Sequence, residues 1–337
     1  MKYTEEAQVS KEYKAEYASS LEAFINKRED EYTKKRDEYT KNIFADTERY
    51  REDFKKYLGW PLTEKPDGLI PDPISTRLSE EDGYTVYRMT FDVLDGVKMT
   101  GLYFEMNEGK KPFVIVQHGG GGTPELISGI NGSTYNYNEM LERVISHDVH
   151  AFCPQLLLWE DKYGAPYDRK IIDARLKRLG SSVTAVEIWA ICRIIDWFDS
   201  RDNTSSIGMV GLSYGGMYTL MTTAVCEKIK TAVSCSWFNS RRYHSWVDWS
   251  WKDIAEKFDD AEIACLVYPR KLRIQMGDKD NLFDYRVSEE SYQKILKLAK
   301  RSGVSTDWIE YLTFDGYHEF IRDDRIISDF VKELKEI

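Results

Sequence analysis

The chain of 337 residues has only five cysteines, Cys153, Cys192, Cys226, Cys235 and Cys265. They are scattered, odd in number and form no C-x-x-C, which argues against a disulfide framework and points to a reduced, cytoplasmic chain. Each lies in an apolar stretch, where cysteine serves as a small buried hydrophobe. Histidine is equally scarce, at five positions, and none of them falls in H-E-x-x-H or another metal-ligand spacing, so no metal site is expected. The longest apolar runs are strand-sized, too short to span a membrane. The opening M-K-Y-T-E-E-A-Q lacks the apolar core of a secretory signal. No basic block offsets the net charge of −10, so nucleic acid is not an expected partner. Neither G-x-G-x-x-G nor G-K-[ST] occurs, which disfavours phosphate cradling.

What is present is an ordinary globular balance, with 42% apolar and 31% charged residues. The length suits one large α/β domain with an extension, or two small domains. Residues 1–57 are charged and tyrosine-rich, with apolar positions at helical spacing (Tyr13, Tyr17, Leu21, Phe24, Ile25, then Tyr50, Phe54, Tyr57). D-E-Y-T-K occurs at 30–34 and again at 37–41, which puts Tyr32 and Tyr39 on one stripe and sets each Asp four residues before a Lys. Two repeats are too few for a sustained coiled coil. A helical layer docked on the main domain is expected, with an arm that joins subunits into a homo-oligomer as the sharper alternative. Gly59 and Pro61 end these helices, and the four prolines between 61 and 83 mark a connecting loop. The expected division is a helical extension and linker over 1–83 and a main domain over 84–337.

The main domain opens with strands at 84–93 and 98–106 joined around Asp95-Gly96. Further strands read at 113–117, 149–154, 206–211, 230–234, 272–276 and 307–314, and helices at 135–145, 182–198, 214–225 and 287–301. This alternation predicts a doubly wound, mostly parallel sheet. The long connection 155–180 should lie over the carboxyl end of the sheet, where such folds bind ligands. After the strand at 230–234 come Trp237, Phe238, Tyr243, His244, Trp246, Trp249 and Trp251, a density that reads either as a substrate-binding cap or as rings packing a small helical lid. Trp159, Trp237, Phe238 and Trp246 are the candidate substrate contacts.

The chemistry centres on 206–216, S-I-G-M-V-G-L-S-Y-G-G. A short apolar strand turns into a helix at Ser213, inside a G-x-S-x-G pattern. Strand and helix crowd one another at such an elbow, so the flanking residues must be thin. The serine is thereby pushed out at a helix N-terminus, where developing negative charge is favoured. Upstream, His118 is followed by four glycines, Gly119 to Gly122, whose N–H groups can face a ligand; paired with the elbow, this loop reads as an oxyanion hole. A serine needs a base. Two histidines follow Ser213, namely His244 in the aromatic segment and His318 in the loop after the last strand, the latter at the sheet end that carries the serine. The acid should come from another strand end. Asp280 fits best, with Asp278, Asp284 and Asp315 as rivals, and the order Ser-Asp-His differs from the chymotrypsin-like and subtilisin-like orders.

H-G-G-G-G at 118–122, G-L-S-Y-G-G at 211–216, G-D-K-D at 277–280 and G-Y-H-E-F at 316–320 stand in the order of the α/β-hydrolase superfamily, which the chain resembles over residues 84–337. Within it the chain looks like the dienelactone hydrolase and acetylxylan esterase-like branch, through His318-Glu319 and L-G-S-S at 179–182 ahead of a long helix. It departs from that branch in carrying serine where dienelactone hydrolases use cysteine, and Q-H-G-G-G-G where acetylxylan deacetylases carry R-G-Q. The resemblance implies an α/β-hydrolase fold of about eight strands, with an N-terminal helical extension and a small aromatic-rich cap. It implies Ser213 as nucleophile, His318 as base and Asp280 as acid, with the N–H of Tyr214 and one from Gly119 or Gly120 holding the oxyanion. The expected function is a serine carboxylester hydrolase acting on a small ester with a short acyl group, such as an acetylated carbohydrate, with no cofactor and no membrane partner. A prolyl-oligopeptidase-type peptidase is the alternative enzyme, although residues 1–83 are too short and too helical for a propeller. A non-catalytic binding protein on the same fold is the alternative outside enzymes.

Overall fold

The computed structural model describes residues 2–66, 68–158, 167–244 and 246–337. It begins with two helices, α1 (Ala7–Tyr39) and α2 (Thr47–Leu58). Asp46 caps α2 by accepting from the Arg49 amide, and Gly59 ends it at φ 99°. Three antiparallel strands follow, β1 (Ile74–Glu81), β2 (Tyr84–Leu94) and β3 (Val97–Met106). Asp95 and Gly96, at φ 45° and 87°, make the turn between β2 and β3 that an Asp-Gly pair predicts.

β1 corrects the reading of 61–83 as a loop. This edge strand is exposed at nearly every position, so it carries no inside–outside alternation for the eye to catch. Its polar residues suit an unpaired edge.

The rest alternates strand and helix: β4 (Lys111–Gln117), α3 (Pro124–Ile127), α4 (Met140–Ile145), β5 (His150–Pro154), α5 (Arg169–Lys177), α6 (Val183–Asp199), β6 (Thr204–Leu212), α7 (Tyr214–Val225), β7 (Ile229–Cys235), α8 (Asp260–Cys265), β8 (Lys271–Gly277), α9 (Tyr285–Ser302), β9 (Ile309–Phe314) and α10 (Asp324–Lys335). Nine strands form one sheet in the order β1-β2-β3-β5-β4-β6-β7-β8-β9. β5, β4, β6, β7, β8 and β9 run parallel, and β5 meets β3 antiparallel.

Side chains of β4 alternate between two cores. Phe113 and Ile115 join the core beneath α2, α6, α7 and α9, while Val114 and Val116 join the one beneath α4 and α10. Burial on both faces explains why the parallel strands read as continuous apolar runs.

The predicted helix over 135–145 is broken. A single turn, Tyr135–Tyr137, precedes α4, and Tyr135, Asn138 and Glu139 sit at φ 48°, 49° and 55°. Of the helical extension, α2 packs on the core through Tyr50, Phe54 and Leu58, whereas α1 docks only by its end. Residues of α1 up to Arg28 are exposed, apart from a half-buried Val9, whereas the later turns meet the segment after β7: Arg36 donates to the Ala255 carbonyl (2.9 Å) and Arg242 pairs with Asp30 (2.7 Å). Tyr32 and Tyr39, placed on one stripe by the repeat, are both half-buried there.

Candidate active site

The elbow is as tight as its glycines suggest. Ser213 lies between β6 and α7 at φ 60°, ψ −124°, a conformation in which a non-glycine residue is strained. A Cβ on Gly211 would fall 2.3 Å from the Gly215 carbonyl oxygen, and one on Gly215 would fall 2.2 Å from that of Gln117 in β4. Only bare backbone lets strand, helix and neighbouring strand close to this distance. The Ser213 N–H donates to the Cys235 carbonyl (2.9 Å), which pins the elbow to β7.

The loops after β8 and β9 bring acid and histidine together. Asp280 Oδ2 lies 2.8 Å from His318 Nδ1, and the Asp280 side chain is fully buried. Its other oxygen accepts from the N–H groups of Leu282 (2.8 Å) and Phe283 (3.1 Å), so the carboxylate cannot turn away from the imidazole. With Nδ1–H donated to Asp280, the lone pair of His318 lies on Nε2. The rival acids have other partners. Asp278 accepts from the Gly316 N–H (3.2 Å), Asp284 caps α9 through the Arg286 N–H (2.9 Å), and Asp315 pairs with Lys279 at the surface. His244 packs its ring against Phe283.

Ser213 and His318 line one cavity of about 480 Å³ together with Gly119, Gly120, Gly121 and Tyr137. A Cβ on Gly119 would stand 3.1 Å from that of Ser213. The Gly119 N–H, however, donates to the Tyr137 hydroxyl (2.8 Å). That bond corrects the pairing of Gly119 with Gly120 as interchangeable donors and favours Gly120. The Tyr214 N–H belongs to the first residue of α7.

His118, whose role the sequence did not disclose, holds the glycine loop. Its Nε2 accepts from the Leu156 N–H (3.1 Å), which leaves the proton on Nδ1, 2.9 Å from the Gly119 carbonyl. Full burial lowers its pKa to about 4, so the ring is a neutral staple between the glycine loop and the loop after β5.

A second clamp comes from 136–138. The Asn136 amide donates to the His318 carbonyl (2.9 Å), and its own carbonyl accepts from the Phe320 N–H (2.8 Å). Asn138 donates to the Glu319 carboxylate (2.8 Å) and the Phe320 carbonyl (2.6 Å). The Asn138 bond, followed by one from the Tyr317 N–H and the pairing with Arg322, holds the Glu319 carboxyl below its usual range. Glu319 therefore secures the histidine loop.

A third assembly, also missed, lies beneath the aromatic segment. Buried Arg169 donates to Asp248 (2.6 Å), Glu187 (3.0 Å) and the Tyr218 hydroxyl (2.8 Å). The Tyr214 hydroxyl donates to the same Asp248 oxygen (2.8 Å), and Glu187 accepts from the Leu157 N–H (2.7 Å). One buried guanidinium thus ties the connection after β5, the elbow helix and the aromatic segment into a single block. A buried arginine reads from sequence as a surface charge, so nothing there signalled it.

The aromatic candidates divide. Trp237 and Phe238 are 1% and 0% exposed and belong to the core beneath α7, which corrects their expected contact with substrate: β7 ends directly under the elbow helix, and Trp237 fills that gap. Trp246 is 40% exposed, stacks on Trp249 at 4.5 Å and lies 6.0 Å from the Tyr214 ring, and among the described residues it is not one that lines the serine's cavity. Trp159 lies outside the described residues. Among the described residues, no group of three His, Cys, Asp or Glu side chains is placed to hold a metal ion, and no helix is long and apolar enough to cross a membrane.

A serine on a strand-to-helix elbow, with acid and histidine on the loops after the last two strands of a mostly parallel sheet, defines an α/β-hydrolase fold. No protein-family model and no curated protein matches the chain. Solved esterases do match its structure. A glucuronoyl esterase from Solibacter usitatus is similar at TM-score 0.61 and 13% identity, over 85% of this chain and 90% of that one. Acetyl xylan esterase 1 from Thermoanaerobacterium sp. JW/SL YS485 is similar at TM-score 0.57 and 15% identity, over 86% and 93%. A cold-adapted esterase from an Arctic intertidal metagenomic library is similar at 0.53 and 17%, over 79% and 98%.

Proposed function

We propose that the protein is a serine carboxylester hydrolase. The observation that carries this reading is the Asp280–His318 pair at 2.8 Å on the same cavity as an elbow serine held at positive φ. In the proposed reaction, Ser213 Oγ attacks the ester carbonyl while its proton passes to His318 Nε2. The N–H groups of Tyr214 and Gly120 receive the oxyanion. Collapse breaks the C–O bond, and the leaving alkoxide takes the proton from the imidazolium. Water, deprotonated by the same nitrogen, then attacks the acyl-enzyme, and the second collapse releases the acid and restores Ser213.

A short acyl group on a carbohydrate is the favoured substrate. The name of one similar structure, an acetyl xylan esterase, supports that choice, and the name of another, a glucuronoyl esterase, supports a carbohydrate ester in general. Five free cysteines, four of them buried, fit a reduced cytoplasmic setting. The test is Ser213→Ala. Turnover of an aryl acetate should fall at least a thousandfold with an unchanged melting transition, and labelling by a fluorophosphonate should vanish. Retained turnover or labelling would remove Ser213 from its role.

A further inference from the structure

We infer that Tyr135 is a substrate-binding residue whose ring is a platform for the flat face of a neutral pyranose, presenting an ester on that sugar to Ser213; the inference rests on the ester-hydrolase reading above.

The backbone gives the first reason. Tyr135 stands at φ 48°, where a bulky side chain is a conformational outlier, and Asn138 and Glu139 close by are left-handed as well. Such strain persists only where the surroundings over-determine it. Here they do. Asn136 is held at both its amide and its carbonyl by the histidine loop, the Tyr137 hydroxyl is held by the glycine loop, and Asn138 is held by Glu319 and Phe320. The segment is therefore built to keep an unfavourable conformation between the two loops that carry the reacting groups.

The second reason is what that conformation does with the ring. Tyr137, two residues on, is 4% exposed and packs in the core, whereas Tyr135 is 61% exposed and lines the cavity that holds Ser213 and His318. The third reason is the character of the cavity. Among the described residues, none that lines it is Lys, Arg, Asp or Glu, a lining that fits a neutral ligand. Beside the ring is Asn136, whose amide oxygen accepts no hydrogen bond among the described residues. An aromatic face next to a polar amide matches a sugar, with its apolar C–H face and hydroxyl edge; a planar aromatic alcohol would use the ring and leave the amide idle.

Two assays decide the matter. In the first, kcat/KM is measured for methyl xylopyranoside monoacetate, phenyl acetate and ethyl acetate. Tyr135→Ala should reduce the value for the sugar ester at least fivefold more than that for ethyl acetate, a factor in the range of one aromatic contact, and Tyr135→Phe should restore it. A selective loss on phenyl acetate alone would replace the sugar with an aromatic alcohol and overturn the proposal. So would equal losses on all three esters, or none. In the second, calorimetry follows binding of methyl xylopyranoside to Ser213→Ala with and without Tyr135→Ala. At least fivefold weaker binding in the double variant supports the platform even if no ester is turned over, an outcome in which the hydrolase reading fails alone; equal binding overturns the platform. Tyr135→Gly should raise the melting midpoint by about 1–3 °C, because glycine carries no penalty at this φ. A lower midpoint would show that the ring serves the fold and would also count against the proposal.

Discussion

Replacing Asp280 with asparagine tests the proposed site at its least replaceable atom. The amide oxygen of asparagine can still accept from Leu282 and Phe283, at the 2.8 and 3.1 Å that the carboxylate now shows, so the side chain keeps its orientation. Its NH₂ group then faces His318 Nδ1 in place of an acceptor. An amide hydrogen pointed at Nδ1 forces the imidazole proton onto Nε2, and the ring can no longer take a proton from Ser213. The imidazolium also loses its anionic neighbour. Loss of both, in sites of this geometry, removes about three to four decades of rate, or about 4–5 kcal/mol at 1.36 kcal/mol per decade. Stability should fall by only about 1–2 kcal/mol, since three charge-assisted hydrogen bonds become neutral ones without loss of a partner. The comparators are Asp278→Asn and Asp284→Asn, which keep an acceptor for Gly316 and a helix cap for α9 and should each change kcat/KM by less than about threefold. The assay is kcat/KM on p-nitrophenyl acetate, paired with a melting curve for each variant. Asp280→Asn retaining more than a tenth of the activity, or Asp278→Asn losing as much, would refute the reasoning.

His118 should give the fold a pH dependence of its own. Its pKa is about 4 in the folded chain and about 6.5 when unfolded, so between those values the unfolded chain binds more protons. Its contribution is complete above pH 6.5 and is lost as pH falls toward 4, by about 3 kcal/mol in total. His118→Gln keeps a donor and an acceptor but cannot titrate; denaturant melts from pH 7 to 4.5 should show the variant losing less than wild type, and parallel curves would exclude His118 as the source. For the helical arm we propose a second copy as partner. Tyr13, Tyr17, Leu21 and Phe24 share one face of α1, so an antiparallel pair with its twofold axis at Tyr17 sets Tyr13 against Leu21. Tyr13, Tyr17 and Phe24 are 66%, 71% and 59% exposed, and with Leu21 and Ile25 two copies would cover roughly 1,200 Å², the lower bound for a stable interface. Light scattering should find a dimer at micromolar concentration that Tyr17→Glu dissociates; a monomeric wild type would rule the pairing out.

The parts of the site that were legible from sequence are those where geometry leaves little choice of residue. Gly211 and Gly215 sit where a Cβ would collide with backbone, and Asp280 and His318 sit at strand ends that the strand–helix rhythm locates. What escaped notice was set by burial of polar groups and by exposure of strands. β1 is an exposed edge, Arg169 is a charge taken into the interior, and Trp237 and Phe238 are rings claimed by the core rather than by a ligand.

The broken helix at 135–145 is the more instructive failure. The periodicity behind that expectation is real: Tyr137, Leu141 and Val144 are all buried in the core beneath α4 and α10. A continuous helix would have served that core equally well. It would also have engaged the backbone and turned Asn136 and Asn138 away from the loop they clamp, since residues two apart on a helix do not share a face. The chain instead keeps the apolar spacing of a helix and breaks its backbone at Tyr135, Asn138 and Glu139, so that Asn136 grips His318 and Asn138, tolerant of the left-handed region, grips Glu319. Local preference is set aside over one short stretch, between the glycine loop and the histidine, and that is where a site with demanding geometry should override it.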